Sequence, residues 1–283
     1  MSYKDPASLL KRTVASGEYQ QLAQSFRRSL LAENKAPRTV ETYAEAIRSF
    51  GDFLAQQGMP TVPRHIKREH VEAYIADLLS RWKPATASNR YRALQQYFKW
   101  MVMEGEIKTS PMQNTKPPII PETPPPVFTD DQLRRLLRAC EGRYFDDRRD
   151  MAIVRLLLDT GMRRSECVNL TVEDVDLDAN VANVVGKGRR PRACPFGYRT
   201  AQAIDRYLRS RAAHRLAHLP ELWLGRAEPL GESGMRDAVR TRAQKAGLDG
   251  VHLHLFRHTF AHTWLASGGP ENDLMRLAGW RSR

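Results

Sequence analysis

The chain has 283 residues, enough for two domains, and it is strongly basic, because 45 lysines and arginines against 32 aspartates and glutamates give a formal net charge of +13. Both parts share the excess, with net charges of +7 over residues 1–116 and +6 over residues 117–283. This balance favours a polyanionic partner, above all nucleic acid. The start of the chain lacks the apolar core of a signal peptide and no apolar run approaches the length of a membrane span, so we expect no membrane partner.

Three cysteines, Cys140, Cys167 and Cys194, show no metal-ligand spacing and leave one thiol over if two of them pair. Reduced thiols in a cytoplasmic protein are the simplest interpretation. The sequence therefore predicts neither a disulfide framework nor a metal site.

After an N-terminal extension of residues 1–15, apolar side chains recur at helical spacing and predict a four-helix domain over residues 16–114. The four stripes are Tyr19, Leu22, Phe26 and Leu30; Val40, Tyr43, Ile47, Phe50 and Leu54; Val71, Tyr74, Ile75 and Leu78; and Tyr91, Leu94, Phe98 and Met101. Their aromatic rings are expected in the core rather than as stacking platforms for bases.

The candidate DNA contacts of this domain are basic and polar residues near two predicted helix starts: Arg38, Thr39, Lys83, Arg90 and Arg92. Free N–H groups and the helix dipole favour a phosphate at such a place. Each of these side chains alone is as readily a solvated surface group.

Residues 115–127 contain six prolines, which disfavour helices and strand ladders and favour an extended, semi-rigid spacer. We interpret this segment as a linker between the first domain and a second one over residues 128–283.

The second domain is predicted to be mostly helical with a small sheet. Thr129 to Gln132 is a capping box that opens a helix, and a second helix runs from about Arg149 to Thr160-Gly161. Asn180 to Val185 and Arg192 to Pro195 predict a β-hairpin with Lys187 at its turn. Further helices are expected near 200–211, 233–246 and 254–266.

Four short motifs in this domain carry groups that can stabilise a phosphoryl-transfer transition state. They are Thr160-Gly161-Met162-Arg163-Arg164-Ser165-Glu166, then Gly186-Lys187-Gly188, then His254-Leu255-Phe256-Arg257-His258, and finally Leu277-Ala278-Gly279-Trp280. Arg163, supported by Glu166 three residues on, offers a guanidinium fork for two phosphate oxygens.

Lys187 lies between two glycines, so its ammonium can approach a nucleic-acid backbone and act as a general acid. His254 and Arg257 share one helical face, and the indole of Trp280 is a hydrogen-bond donor. Taken singly, each motif has an ordinary structural explanation, namely an ion pair, a turn, a structural histidine or a core tryptophan. Their order and spacing together make the pattern specific.

This combination resembles the tyrosine recombinase, or phage integrase, family, over about residues 16 to 283. The resemblance implies a SAM-like core-binding domain followed by a catalytic domain, with Arg163, Lys187, His254, Arg257 and Trp280 in the catalytic set. It further implies cleavage and rejoining of double-stranded DNA at inverted half-sites through a 3′-phosphotyrosyl intermediate. No metal, cofactor or ATP takes part, and a homotetramer forms on the DNA.

The sequence departs from the family pattern in one respect. The nucleophilic tyrosine usually lies about nine residues past the position of Trp280, which here falls beyond Arg283, and no tyrosine follows Tyr207. We therefore expect a C-terminally truncated recombinase that binds DNA but does not cleave it. The alternatives are a DNA-binding protein of the same fold that is naturally non-catalytic, and a topoisomerase-like nicking enzyme, which the two-domain layout disfavours.

Overall fold

A computed structural model describes residues 15–186 and 191–280. The chain divides into two compact units between Thr123 and Pro124, inside the proline-rich segment. Each unit has its own hydrophobic core. The mainly helical fold with a small sheet that the sequence predicts is confirmed.

The first unit contains four helices, α1 (Gly17–Ala32), α2 (Pro37–Gln56), α3 (Arg68–Arg81) and α4 (Pro84–Met103), with a 3₁₀ turn at Pro63–His65. The predicted apolar stripes face its core, and Tyr19, Tyr74, Tyr91 and Phe98 are at most 2% exposed. The ring of Phe50 packs tilted against Tyr74 and edge-on against Phe98. The expectation that these rings form the core is confirmed.

The second unit is built from seven helices and three strands among its described residues. The helices are α5 (Asp130–Ala139), α6 (Phe145–Thr160), α7 (Arg164–Val168), α8 (Tyr198–Ala212), α9 (Glu232–Lys245), α10 (Leu253–Ala266) and α11 (Glu271–Ala278). The strands β1 (Val175–Asp176), β2 (Val181–Val185) and β3 (Pro191–Pro195) form an antiparallel sheet in the order β1-β2-β3.

The predicted capping box opens α5, where the Thr129 hydroxyl accepts from the Gln132 amide and the Gln132 side chain accepts from the Thr129 amide. Helix α6 begins at Phe145, earlier than the expected start near Arg149, because the Asp147 carboxylate caps the amide of Tyr144. Strand β1 and helix α11 were not predicted.

The predicted hairpin is formed by β2 and β3, with Val181 opposite Pro195 and Val185 opposite Pro191. Lys187, expected at its turn, lies outside the described residues.

A buried hydrogen bond and the aromatic contacts behind it fix the short helix α7 to the rest of the second unit. The indole N–H of Trp223 donates to the carbonyl of Cys167 at 2.8 Å, and Trp223 stacks on Tyr207 of α8. Tyr207 donates in turn to the carbonyl of Leu222 at 2.8 Å. Because α7 is only five residues long, these tertiary contacts rather than its intrinsic helicity hold it in place.

Cys140, Cys167 and Cys194 are buried free thiols. In the part of the chain that the structure describes, no helix has both the length and the apolar character that crossing a bilayer demands.

Candidate functional site

The first side of the site is the glycine turn that ends α6. Gly161 adopts a left-handed conformation with φ of 54°, which only glycine takes without strain. A β-carbon at this position would overlap the ring of Phe260 on α10. The turn therefore brings α6 and α10 close together, and the Gly161 carbonyl accepts from Nη1 of Arg257 at 2.8 Å.

Arg163 is the N-cap of α7 rather than a residue within the helix. Its backbone N–H donates to Oε2 of Glu166 at 2.7 Å, and its Nη1 donates to Oε1 of the same carboxylate at 2.8 Å. The Arg163 side chain is 33% exposed, whereas that of Glu166 is 4% exposed. The buried carboxylate thus holds a guanidinium that is itself partly exposed to solvent.

Arg192 is a third arginine of the site, and the sequence interpretation missed it. Its Nη1 and Nη2 donate to the two oxygens of Glu166, each at 2.8 Å. Its side chain is 13% exposed. On β3 the side chains of Arg192 and Cys194 face inward while the flanking residues are exposed. An arginine on the inward face of a strand was the signal that could have identified it.

The carboxylate of Glu166 therefore accepts four hydrogen bonds, two from Arg163 and two from Arg192. Burial by itself raises the pKa of Glu166, but these hydrogen bonds and the charge of Arg192 outweigh it and lower the pKa to about 2. Glu166 is consequently an anion at any physiological pH. The same carboxylate raises the pKa of Arg192 against the lowering effect of burial.

Arg257 lies on α10 and is 3% exposed. On one side its Nη1 donates to the Gly161 carbonyl at 2.8 Å and its Nη2 donates to the Ala278 carbonyl at 2.6 Å. On the other side its guanidinium lies over the ring of Trp280, 5.2 Å from the centroid. Burial, followed by repulsion from Arg163, lowers the pKa of Arg257 to about 10, so the side chain remains a cation at neutral pH.

The three arginines converge on the end of helix α11, which terminates at Gly279 with φ of 63°. Three successive backbone carbonyls each accept from a different arginine: Leu277 from Arg192 Nε at 2.9 Å, Ala278 from Arg257 Nη2 at 2.6 Å, and Gly279 from Arg163 Nη2 at 2.8 Å. Carbonyls at a helix C-terminus lack partners within the helix and carry partial negative charge. Arg163, Arg192 and Arg257, which come from three separate segments of the chain, therefore meet at the C-terminus of α11.

His254 lies in the first turn of α10, and its ring meets that of His258 edge-on at 4.7 Å between centroids. Partial burial, followed by the charges of His258 and Arg257, lowers the pKa of His254. The imidazole is therefore mostly neutral at pH 7, with one nitrogen able to donate and the other to accept.

Trp280 is half-buried against a small apolar cluster of Ala261, Leu274 and Ala278. Its indole N–H donates no hydrogen bond to a group within residues 15–186 and 191–280. Lys187 cannot be placed relative to the arginines, because it lies outside the described residues. In the same ranges, no three histidine, cysteine, aspartate or glutamate side chains are grouped as metal ligands.

In the first unit, Arg38 and Thr39 lie in the first turn of α2 and Lys83 is the N-cap of α4, whereas Arg90 and Arg92 lie further along α4 than predicted. Both helices begin with proline and neither has a side-chain cap. Arg38 is 90% exposed, Lys83 is exposed and Thr39 is half-buried, and Arg92 donates to the side-chain oxygen of Asn89. Arg90 differs, since it is 19% exposed and its Nη2 lies 2.5 Å from Oε1 of Glu45.

Comparison with known proteins identifies the family of the chain. The phage integrase family matches residues 126–283, and the phage integrase N-terminal SAM-like domain matches residues 22–106. Tyrosine recombinase XerD of Corynebacterium glutamicum is 30% identical over 256 residues, which cover 86% of this chain and 84% of that protein. Tyrosine recombinase XerC of Bacillus subtilis is 30% identical over 259 residues, covering 88% and 84%.

Among solved structures, the lambda integrase tetramer bound to a Holliday junction shares the fold with a TM-score of 0.74 at 17% identity, over all of this chain and 83% of that one. The chain belongs to the phage integrase family of tyrosine recombinases. It is accordingly a DNA-binding protein of the site-specific recombinase class, with a SAM-like N-terminal domain.

Proposed function

We propose that the arginine cluster at the end of α11 is the site where this recombinase activates one phosphodiester of double-stranded DNA. The observation that supports this most strongly is the convergence of Arg163 and Arg257, 94 positions apart, on the adjacent carbonyls of Gly279 and Ala278. Cationic donors held in fixed positions suit a transition state that concentrates negative charge on phosphate oxygens, and they perform the task that a metal ion performs elsewhere.

In the reaction that we propose, a tyrosine oxygen attacks the phosphorus and the bond to the 5′-oxygen breaks. The product is a 3′-phosphotyrosyl bond and a free 5′-hydroxyl, and the covalent intermediate conserves the energy of the phosphodiester, so neither ATP nor metal is needed. Arg163 and Arg257 neutralise the non-bridging oxygens. His254 and the Trp280 indole donate to the same phosphate, and Lys187 gives the proton that the leaving 5′-oxygen requires.

Arg257 contacts a phosphate directly only if the ring of Trp280 moves off its guanidinium, since the side chain is 3% exposed. Arg163 needs no such movement, because a third of its side chain is exposed. We therefore propose that Arg163 makes the first contact with the phosphate and that Arg257 and Trp280 adjust to it together.

For the 283-residue polypeptide itself we propose DNA binding without cleavage. Its nine tyrosines all lie at or before Tyr207. Three of them belong to the second unit, and of these Tyr207 is fully buried, with burial raising its pKa to about 12. Tyr144 and Tyr198 are exposed at the starts of α6 and α8.

We further propose that residues 16–114 form the core-binding domain, residues 115–127 the linker, and residues 128–283 the catalytic domain. Arg38, Thr39 and Lys83 would contact phosphates near the uncapped starts of α2 and α4, and Arg92 would contact one further along α4. Arg90 reaches a phosphate only if its ion pair with Glu45 breaks. The proposed partners are inverted DNA half-sites and, in an active recombinase, three further copies of the chain; the DNA-bound lambda integrase tetramer is the precedent for this assembly.

The test begins by selecting bound duplexes from a random-sequence pool with the 283-residue protein. Footprinting of the selected site is expected to show two protected half-sites in inverted orientation. Protection of one continuous block without symmetry, or no preference over random duplex, would contradict the proposal.

A nicked version of the selected site then tests cleavage. No covalent protein–DNA adduct is expected on a denaturing gel. If an adduct forms, the variants Tyr144→Phe and Tyr198→Phe identify its source, and binding without cleavage is refuted.

A further inference from the structure

We infer that Arg192 is a positioning residue of the recombinase site: it fixes the Glu166 carboxylate that orients Arg163, without itself contacting DNA. The inference rests on the proposed role of Arg163 at a phosphate. It assigns to a residue outside the four motifs a part in the same reaction.

The hydrogen bonds of Arg192 point to this role. Its Nη1 and Nη2 bind the two oxygens of Glu166, and its Nε binds the Leu277 carbonyl. Three of the five side-chain N–H groups of Arg192 are thereby bonded to acceptors of the protein. Arg163, in contrast, gives one N–H to Glu166 and one to Gly279, and its other three side-chain donors bond to no group within residues 15–186 and 191–280.

Exposure separates the two arginines in the same way. The Arg163 side chain is 33% exposed and that of Arg192 is 13% exposed, with the carboxylate of Glu166 at 4% between them. A ligand arriving from solvent therefore meets Arg163 more readily, and Arg192 acts on it through Glu166.

The pairing of Arg192 with Glu166 also changes the net charge beside Arg163. A carboxylate alone beside Arg163 would cancel the positive charge that a phosphate needs. With Arg192 opposite, the three residues carry a net charge of +1, and Arg257 adds a second positive charge. Arg192 therefore allows a carboxylate to orient Arg163 while it offsets the negative charge that the carboxylate brings to the site.

Arg192 also contacts the C-terminal end of α11, where Arg163 and Arg257 are bound. Through its Nε, Arg192 also holds the Leu277 carbonyl, one residue before the acceptor of Arg257 and two before the acceptor of Arg163. One side chain thus fixes both the carboxylate and the helix end against which the two phosphate-binding arginines are placed.

The test uses the 283-residue protein with isotope-labelled arginine side chains, observed by NMR while inorganic phosphate is added. In the wild type, phosphate is expected to shift the Nε–H signal of Arg163. In Arg192→Gln the apparent dissociation constant for that shift is expected to rise about tenfold or more, in line with the loss of charge-assisted hydrogen bonds.

Two further readouts separate positioning from simple stabilisation. Both are measured at a temperature where the variant is fully folded. In Arg192→Gln the guanidinium of Arg163 is expected to rotate faster than in the wild type. The carboxyl carbon of Glu166 is expected to titrate at a higher pH than in the wild type. Arg192→Lys, which keeps the charge but not the two-bond geometry, should fall between wild type and Arg192→Gln. If Arg192→Gln does not fold, Arg192→Lys carries the comparison with the same expected directions.

Arg209→Gln is the matched control, since Arg209 is an exposed arginine of the same unit that pairs with Asp205. It should change none of the three readouts. A folded Arg192→Gln with unchanged Arg163 rotation, Glu166 titration and phosphate response would overturn the inference. If phosphate leaves Arg163 unmoved in the wild type, the proposed function fails instead, and rotation and titration still decide whether Arg192 positions Arg163.

Discussion

Nη2 of Arg163 donates to the carbonyl oxygen of Gly279 at 2.8 Å across 116 positions of sequence. Gly279 is left-handed, and a β-carbon there would lie 3.2 Å from Nη1 of Arg192 and 3.4 Å from Nη1 of Arg163. The glycine thus serves two purposes, since it ends α11 and it leaves room for two guanidinium groups.

Gly279→Ala should therefore lower both stability and DNA affinity. The left-handed conformation alone costs an alanine about 1–2 kcal/mol, and displacement of the arginines adds to it. Gly250→Ala is the control, because Gly250 has φ of 69° and a β-carbon at that position would meet no atom within 4 Å. Chemical denaturation should show a loss for both variants, whereas a DNA titration should show weaker binding for Gly279→Ala alone. Equal DNA affinities of the two variants would count against the second purpose of Gly279.

Glu166 makes the free energy of unfolding of the chain depend on pH. Its pKa is lowered from 4.5 to about 2 in the folded chain, so the stabilisation is fully present above pH 4.5 and is lost as the pH falls towards 2. The shift corresponds to roughly 3 kcal/mol as an upper figure. Glu166→Gln should unfold more easily than wild type at pH 6, and the difference should shrink steadily below pH 4.5. A constant difference in urea denaturation between pH 6 and pH 3 would contradict this account.

The histidine pair on α10 offers a second pH-dependent test. Burial is the largest cause of the lowered pKa of His254, and the neighbouring His258 is the next. His258→Ala should therefore raise the pKa of His254 part of the way towards 6.5, as followed by NMR of the imidazole. His262→Ala, which removes an exposed histidine further along α10, should leave that titration unchanged. A fall in the His254 pKa in His258→Ala would show that the assigned repulsion is wrong.

In the first unit, Lys83 and Arg90 are expected to behave differently. Lys83 is an exposed residue at the start of α4, so Lys83→Ala should weaken binding and reduce the slope of log K against log salt concentration by about one. Arg90 is already paired with Glu45, so Arg90→Ala should leave the slope unchanged. Because Glu45 is 57% exposed, the stability change should stay below about 1 kcal/mol. Salt titrations of DNA binding distinguish these outcomes.

Local patterns predicted most of the fold. The four stripes of the first unit, the capping box of α5 and the glycine end of α6 are signals contained in short windows, and each element formed where its window lies. Helix α11 gave no such signal, because only Leu274 and Ala278 of its eight residues are buried. Strand β1 is two residues long and depends on its pairing with β2.

The site was predictable only in part, for a physical reason. Arg163 and Glu166 are three residues apart, so their ion pair could be anticipated from sequence. Arg192 lies 26 positions after Glu166 in the sequence. The Leu277 carbonyl, which accepts from Nε of Arg192, lies a further 85 positions on. No local window contains such contacts. The burial of Arg257 beneath Trp280 is likewise a tertiary outcome that the motif spacing did not predict.

The three carbonyls at the end of α11 also bear on when the site can exist. During synthesis the ribosome releases Arg163 and Arg192 long before residue 279, so a growing chain holds basic side chains whose acceptors have not yet emerged. Contacts across such long separations form late, after the local helices. The three-arginine cluster is therefore expected to assemble in one of the last steps of folding, after residue 279 has been synthesised.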